Sequence, residues 1–205
     1  MQGYIIKVTK SRDEDVIVSI IAKDNLYTLY RFYGARHSQI NLGFKIDFEV
    51  HASATVSISR LRKVMHLGFP WLTDRSRLFI WQQFTGLFHK HLQDSEHLDP
   101  FYFELLENAS KLWSSQNPKR IAIESYVKIL NFEGRLHTDM HCFFCEGEIK
   151  EKITLLRAFL PAHAECIHAI PLDIKAVQEL FTTGDSLFLD DKEIERIWHI
   201  LLEGF

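Results

Sequence analysis

The chain lacks any apolar run approaching the ~18 residues that a membrane-spanning helix requires. Its first residues, MQGYIIKVTK, lack the basic-then-apolar order and the small-residue cleavage site of a secretory signal. A soluble cytoplasmic protein is the expectation. Cysteine is scarce, with three in 205 residues, which excludes a disulfide framework. There is no internal repeat and no low-complexity tract. No G-x-x-x-x-G-K-[ST] occurs, which removes a P-loop ATPase, and no H-E-x-x-H occurs, which argues against a zinc-dependent hydrolase.

Apolar residues make up 46% of the chain and include 16 phenylalanines, so it has the material for a globular, aromatic-rich core. The net charge of −3 is unevenly spread. Residues 1–68 hold ten Lys or Arg against six Asp or Glu, a balance of +4, and the remainder carries −7. Such asymmetry suggests two modules with different partners.

The first 68 residues read as strands. GYIIKVTK, DVIVSIIAKD, LYTLYRFYG, FKIDFEVHA and ATVSISRLRKV are short β-branched and aromatic runs separated by turn-forming segments. Five strands in so short a span fit a small OB-type or SH3-like barrel. After GFPWLTD the period becomes helical. DRSRLFIWQQFTGLFHKHL repeats at Ile80, Phe84, Leu87 and Phe88. DPFYFELLENASKLW repeats at Tyr102, Leu105, Leu106, Ala109, Leu112 and Trp113. NPKRIAIESYVKILNFEG opens on Asn117 and Pro118 and stops at Gly134. Two later helices are expected, LDIKAVQELFTTG and, capped by Asp190, LDDKEIERIWHILLEGF with a stripe of Ile194, Ile197, Trp198 and Leu201. The chain thus reads as α+β, with a β-barrel over residues 1–70 and a helical domain over 71–205.

Between the helices lies MHCFFCEGEI. Its C-x-x-C step is open to three readings: a redox pair, unliganded structural cysteines, or half of a zinc site. A thioredoxin-like motif needs a preceding strand and a helix starting at the motif, and no βαβ pattern surrounds this one. For zinc, 17 residues separate Cys145 from His163, and His163-Ala-Glu-Cys166 is itself a two-residue step. Cys142, Cys145, His163 and Cys166 therefore form a candidate set of three cysteines and one histidine spanning about residues 140–168, with His168 and His141 as competing donors. Four protein ligands leave no open position, so such a zinc ion would be structural. His89 and His91 of HKH project to different sides of a helix and read as solvated.

The barrel, the helices and IESYVKILNFEGRLHTDMHCFFCEGEI together resemble the RecO family of bacterial recombination and repair mediators. In that family a helix of the form F-E-x-x-L-L-x-x-L-G-Y-x-P-x-L-x-x-C-x-x-C leads into a zinc-binding segment. Glu124, Leu130, Leu136, Cys142 and Cys145 stand in the corresponding places, and Gly34, Ala35 and Arg36 of YGARHS resemble the family's K-G-A-R stretch. The family's full site uses four cysteines where this chain offers three and a histidine. Its loop after G-A-R carries more basic residues than HSQIN does.

The resemblance implies an OB-fold DNA-binding domain followed by a helical domain with a small zinc-finger-like segment. It implies a cytoplasmic, nucleoid-associated, non-enzymatic protein that binds single- and double-stranded DNA and anneals complementary strands. With RecR, such a protein helps load RecA onto DNA coated by single-strand-binding protein, whose acidic tail many members hold. On the barrel, Lys7, Lys10, Arg12, Arg31, Arg36, Lys45, Arg60, Arg62 and Lys63 are the candidate phosphate contacts. Tyr30, Phe32 and Tyr33 precede G-A-R, and strand alternation would place Arg31 with Tyr33 on one face and Tyr30 with Phe32 on the other. The acidic balance beyond residue 68 and the depleted basic loop favour the alternative, a protein-binding adaptor with little DNA affinity of its own.

Overall fold

The structure is a computed structural model describing residues 1–52, 58–95 and 97–205. Five strands, β1 (Gln2–Lys10), β2 (Val16–Ala22), β3 (Leu26–Arg31), β4 (Lys45–His51) and β5 (Arg60–His66), close into a barrel of order β1-β2-β3-β5-β4. All neighbours are antiparallel except β3 and β5, which meet in parallel at Tyr30 and Arg60. This is the small OB-type closure that the strand count allows. Residues 53–57, the start of the expected fifth strand, lie outside the described residues.

Alternating inward positions fill the barrel with Ile5, Val16, Val18, Ile20, Leu29, Ile46, Phe48 and Leu61. Gly34 opens a 3-10 turn after β3 where a Cβ would lie 2.3 Å from Val16 Cγ2, so only glycine lets the turn approach β2.

Helix α1 (Arg75–Leu92) packs on β1, and α2 (Pro100–Leu112) on β1 and β2. The buried face of α1 is Trp81, Phe84, Thr85, Phe88 and Leu92, one step round from the expected stripe, leaving Ile80 and Leu87 half-exposed. The indole of Trp81 sets that rotation. Its N–H donates to the Gly43 carbonyl at 2.7 Å, and its ring packs edge-on to Trp113 at 4.9 Å. Trp113, the C-cap of α2, is buried as the expected stripe has it, while Leu112 is 40% exposed. Tyr4 lies in the same aromatic layer and donates its hydroxyl to Glu107 Oε1 at 2.7 Å, while Lys45 forms an ion pair with the same carboxylate. Burial pushes the Tyr4 phenol far above its ordinary range.

The chain divides by compactness into Met1–Ser114 and Ser115–Phe205. The change of period near residue 70 thus marks the end of the barrel strands, while the first compact unit runs on through α2. In the second unit α3 (Pro118–Phe132) packs on α6 (Asp191–Leu202). Between them in sequence come β6 (Lys152–Leu155), β7 (Pro161–Ala162), α4 (Ala164–Ile167), β8 (Leu172–Asp173) and α5 (Ile174–Thr183). The three strands form a sheet of order β7-β6-β8. Asn117, Asp173 and Asp190 cap their helices, Asp190 through a full capping box with Glu193. Ile194, Ile197, Trp198 and Leu201 are all buried, and Tyr126 stacks on Phe205 at 4.6 Å.

Candidate metal centre and nucleic-acid interface

The C-x-x-C step sits at the tip of a tight hairpin. His141 bridges Glu148, the Cys142 N–H donates to the Gly147 carbonyl at 2.9 Å, and the Glu146 N–H returns to the Cys142 carbonyl at 2.8 Å. Glu146 takes a left-handed φ of 58° to close the turn. The second half comes from the junction of β7 and α4, where the Cys166 N–H donates to the His163 carbonyl at 3.1 Å. A hydrogen bond from Phe143 N–H to the Pro161 carbonyl at 2.9 Å ties the two halves together.

These turns bring Cys142, Cys145, His163 and Cys166 together, with one donor atom of each within 4.8 Å of all the others. Cys145 Sγ lies 3.3 Å from His163 Nδ1 and 3.9 Å from Cys166 Sγ, and Cys166 Sγ lies 3.9 Å from the same nitrogen. A zinc tetrahedron with bonds of about 2.0–2.3 Å separates its donors by about 3.5–3.8 Å, so the set, spanning up to 4.8 Å, would have to close by about 1 Å at its widest. His163 Nε2 lies 3.2 Å from the Glu148 carbonyl, which selects the tautomer protonated there and leaves Nδ1 facing the sulfurs. His141 and His168 fall outside the group; His168 ends α4 in a left-handed conformation.

The electrostatics suit a cation. Burial alone would push the Cys142 thiol up, but backbone N–H groups of His163, Cys145 and Phe144 outweigh it and bring the group down to about 6. Desolvation first, then the neighbouring thiols of Cys142 and Cys145, push Cys166 up to about 11. Three thiols and an imidazole this close favour shedding protons to a metal.

On the barrel, the nine cations differ in how they are engaged. Lys45, 15% exposed, is turned to Glu107. Arg31 donates from Nη1 to the Leu61 carbonyl at 3.0 Å across the β3–β5 seam. Lys63 pairs with Glu49 at 2.9 Å, and Arg62 stands opposite Glu49 in the β4–β5 register. Arg36 pairs with Glu14. Lys7, Lys10 and Arg12 are exposed on β1 and the turn after it.

Strand alternation holds as far as Phe32, whose ring packs edge-on to Tyr30 at 5.1 Å, and breaks at Tyr33. The strand stops at Arg31, and Tyr33 takes a left-handed φ of 52°, with its N–H held by Asp15 Oδ1 at 2.7 Å. Phe32 and Tyr33 are consequently both exposed, at 47% and 60%. Each has an arginine beside its ring: Arg60 is 5.0 Å from the Phe32 centroid and Arg36 is 5.7 Å from that of Tyr33. This pair of aromatic–arginine stacks was not legible as a unit, because Arg60 is brought to Phe32 only by the parallel β3–β5 closure.

Residues 1–72 match the family model described as RecO N terminal, which spans the whole barrel. No curated protein matches the chain. Among the described residues, no helix is long and apolar enough to cross a membrane. That match supports a general role in DNA recombination and repair. With its closed five-stranded barrel under that match, the helices that follow and a cysteine–histidine group that could hold zinc, the chain carries a RecO N-terminal domain over residues 1–72 and is similar to the RecO family in its order of parts.

Proposed function

We propose that this chain binds single- and double-stranded DNA through its barrel and anneals complementary strands. With RecR it would help load RecA onto DNA coated by single-strand-binding protein, holding that protein's tail and consuming no nucleotide. The observation that carries this reading is the exposed pair Phe32 and Tyr33, each stacked with an arginine, on a RecO-type barrel. Flat rings flanked by guanidinium groups offer unpaired bases a stacking surface and phosphates a counter-charge.

Exposed Lys7, Lys10, Arg12 and Arg62 supply sequence-independent phosphate attraction around it. Annealing asks no more than this: strands held through phosphates and loosely stacked bases can slide until complementary segments pair. Zinc held by Cys142, Cys145, His163 and Cys166 would pin the hairpin of residues 140–149 to the start of α4. It would be structural, because the protein fills all four positions.

The test is mobility shift and strand annealing with the full chain at two salt concentrations. Salt-sensitive binding and annealing without nucleotide are expected. Absence of binding at low salt would instead favour an adaptor that meets only protein, a reading supported by the engagement of Arg31 and Lys45 within the barrel unit.

A further inference from the structure

The turn between α5 and α6 shows two large apolar side chains to solvent, Leu187 at 77% and Phe188 at 70% exposure. Their neighbours on either side, Ser186 and Leu189, are 1% and 2% exposed. The turn is firmly held. The Leu189 N–H donates to the Ser186 carbonyl at 3.1 Å, and the Leu187 N–H to Asp185 Oδ1 at 2.9 Å.

Two charged side chains of α3 clamp both ends. Arg120 donates to the Ser186 carbonyl at 2.6 Å and to the Leu189 carbonyl at 2.8 Å. Glu124 Oε1 accepts from the Ser186 N–H at 3.1 Å and from its hydroxyl at 2.7 Å. Turns that only connect two helices most often carry polar or small residues at their apex. This one fixes a leucine and a phenylalanine there, removing in advance much of the ordering entropy that docking would cost.

The surroundings select the partner. Phe188 shares a cavity of about 380 Å³ with Asp173, Lys175, Ala176 and Glu179, and Asp185, Asp190 and Asp191 flank it along the chain. Asp191 is paired with Arg120, and Lys175 and Lys192 offset part of the charge, yet the balance stays acidic and disfavours nucleic acid, anionic membranes and acidic peptide tails alike. We propose that the Ser186–Leu189 turn is a protein-docking knob whose Leu187 and Phe188 enter an apolar pocket rimmed by lysine and arginine on a partner protein. Aromatic anchors in a desolvated pocket, with complementary charge around them, are the usual centre of a specific interface. The knob is independent of the DNA-binding reading.

The test places a photo-cross-linking benzoyl-phenylalanine at position 188 of the full chain in its native cells and sequences the cross-linked peptide. A protein adduct is expected, on a peptide pairing apolar residues with flanking Lys or Arg. Its yield should fall about tenfold or more with Leu187→Ser. It should fall several-fold with Glu179→Gln and Asp185→Asn together. Leu187→Ser should leave melting temperature and DNA binding at wild-type values, separating this result from failure of the barrel. An adduct to nucleic acid, lipid or a second copy of this chain, a peptide without basic residues, a yield indifferent to Leu187→Ser, or no adduct would each overturn the proposal.

Discussion

His163 faces Cys145 with Nδ1 3.3 Å from the sulfur, while its opposite nitrogen lies against the Glu148 carbonyl at 3.2 Å. One ring therefore has two faces to offer: a nitrogen that could ligate a metal on one edge and an anchor to the hairpin backbone on the other. His168, which is five residues later in the chain, closes α4 and has no place in the group.

Elemental analysis of protein purified without added zinc should find stoichiometric metal in the wild type and in His168→Ala, and none in His163→Ala. His163→Cys should regain it, since a fourth thiolate completes an all-cysteine tetrahedron. Full zinc in His163→Ala would show that the fourth donor lies elsewhere.

Phe32→Ala and Tyr33→Ala should each weaken single-strand binding by about 1–3 kcal/mol, roughly 5- to 150-fold, by removing a stacking face. Duplex binding, which presents no free base faces, should change little. Lys45→Ala should behave in the opposite way, lowering the melting temperature with DNA affinity unchanged, because Lys45 is 15% exposed and paired to Glu107. Titration against salt should accordingly give a slope shallower than nine phosphate contacts would produce.

Gly34→Ala should destabilise the barrel by about 1–3 kcal/mol through overpacking. The new Cβ would meet Val16 Cγ2 at 2.3 Å and Arg31 Cβ at 3.3 Å. Adding Val16→Ala to the Gly34→Ala chain should recover part of the loss in denaturant unfolding. Independent, additive losses would place the strain elsewhere.

Acid should erode the first compact unit through Glu107. Burial raises this carboxyl, but hydrogen bonds from Lys45 and Tyr4 and the nearby ammonium of Lys45 hold it below the usual carboxylate range. A depressed native value contributes stability present above the unfolded carboxylate value and lost as pH falls through the native one. Glu107→Gln should therefore melt lower at neutral pH and show a flatter decline on acidification. An unchanged acid limb would assign the loss to other carboxylates.

Much was legible in the sequence because it depends on neighbours along the chain. Strand alternation and helix period located the barrel strands and the longer helices, and Asn117, Asp190 and Gly134 marked helix ends through local hydrogen bonding and backbone freedom. The two-residue steps of Cys142–Cys145 and His163–Cys166 announced a cluster of four donor side chains, since each step is closed by its own turn. What only the tertiary structure decided are contacts between segments that periodicity cannot see. The rotation of α1 was set by Trp81 reaching the Gly43 carbonyl, the withdrawal of Lys45 by Glu107 on α2, and the stacking of Arg60 on Phe32 by a parallel seam. Local sequence determines which side chains are available and how they are spaced; which charges remain for a ligand depends on partners that only the closed fold brings within reach.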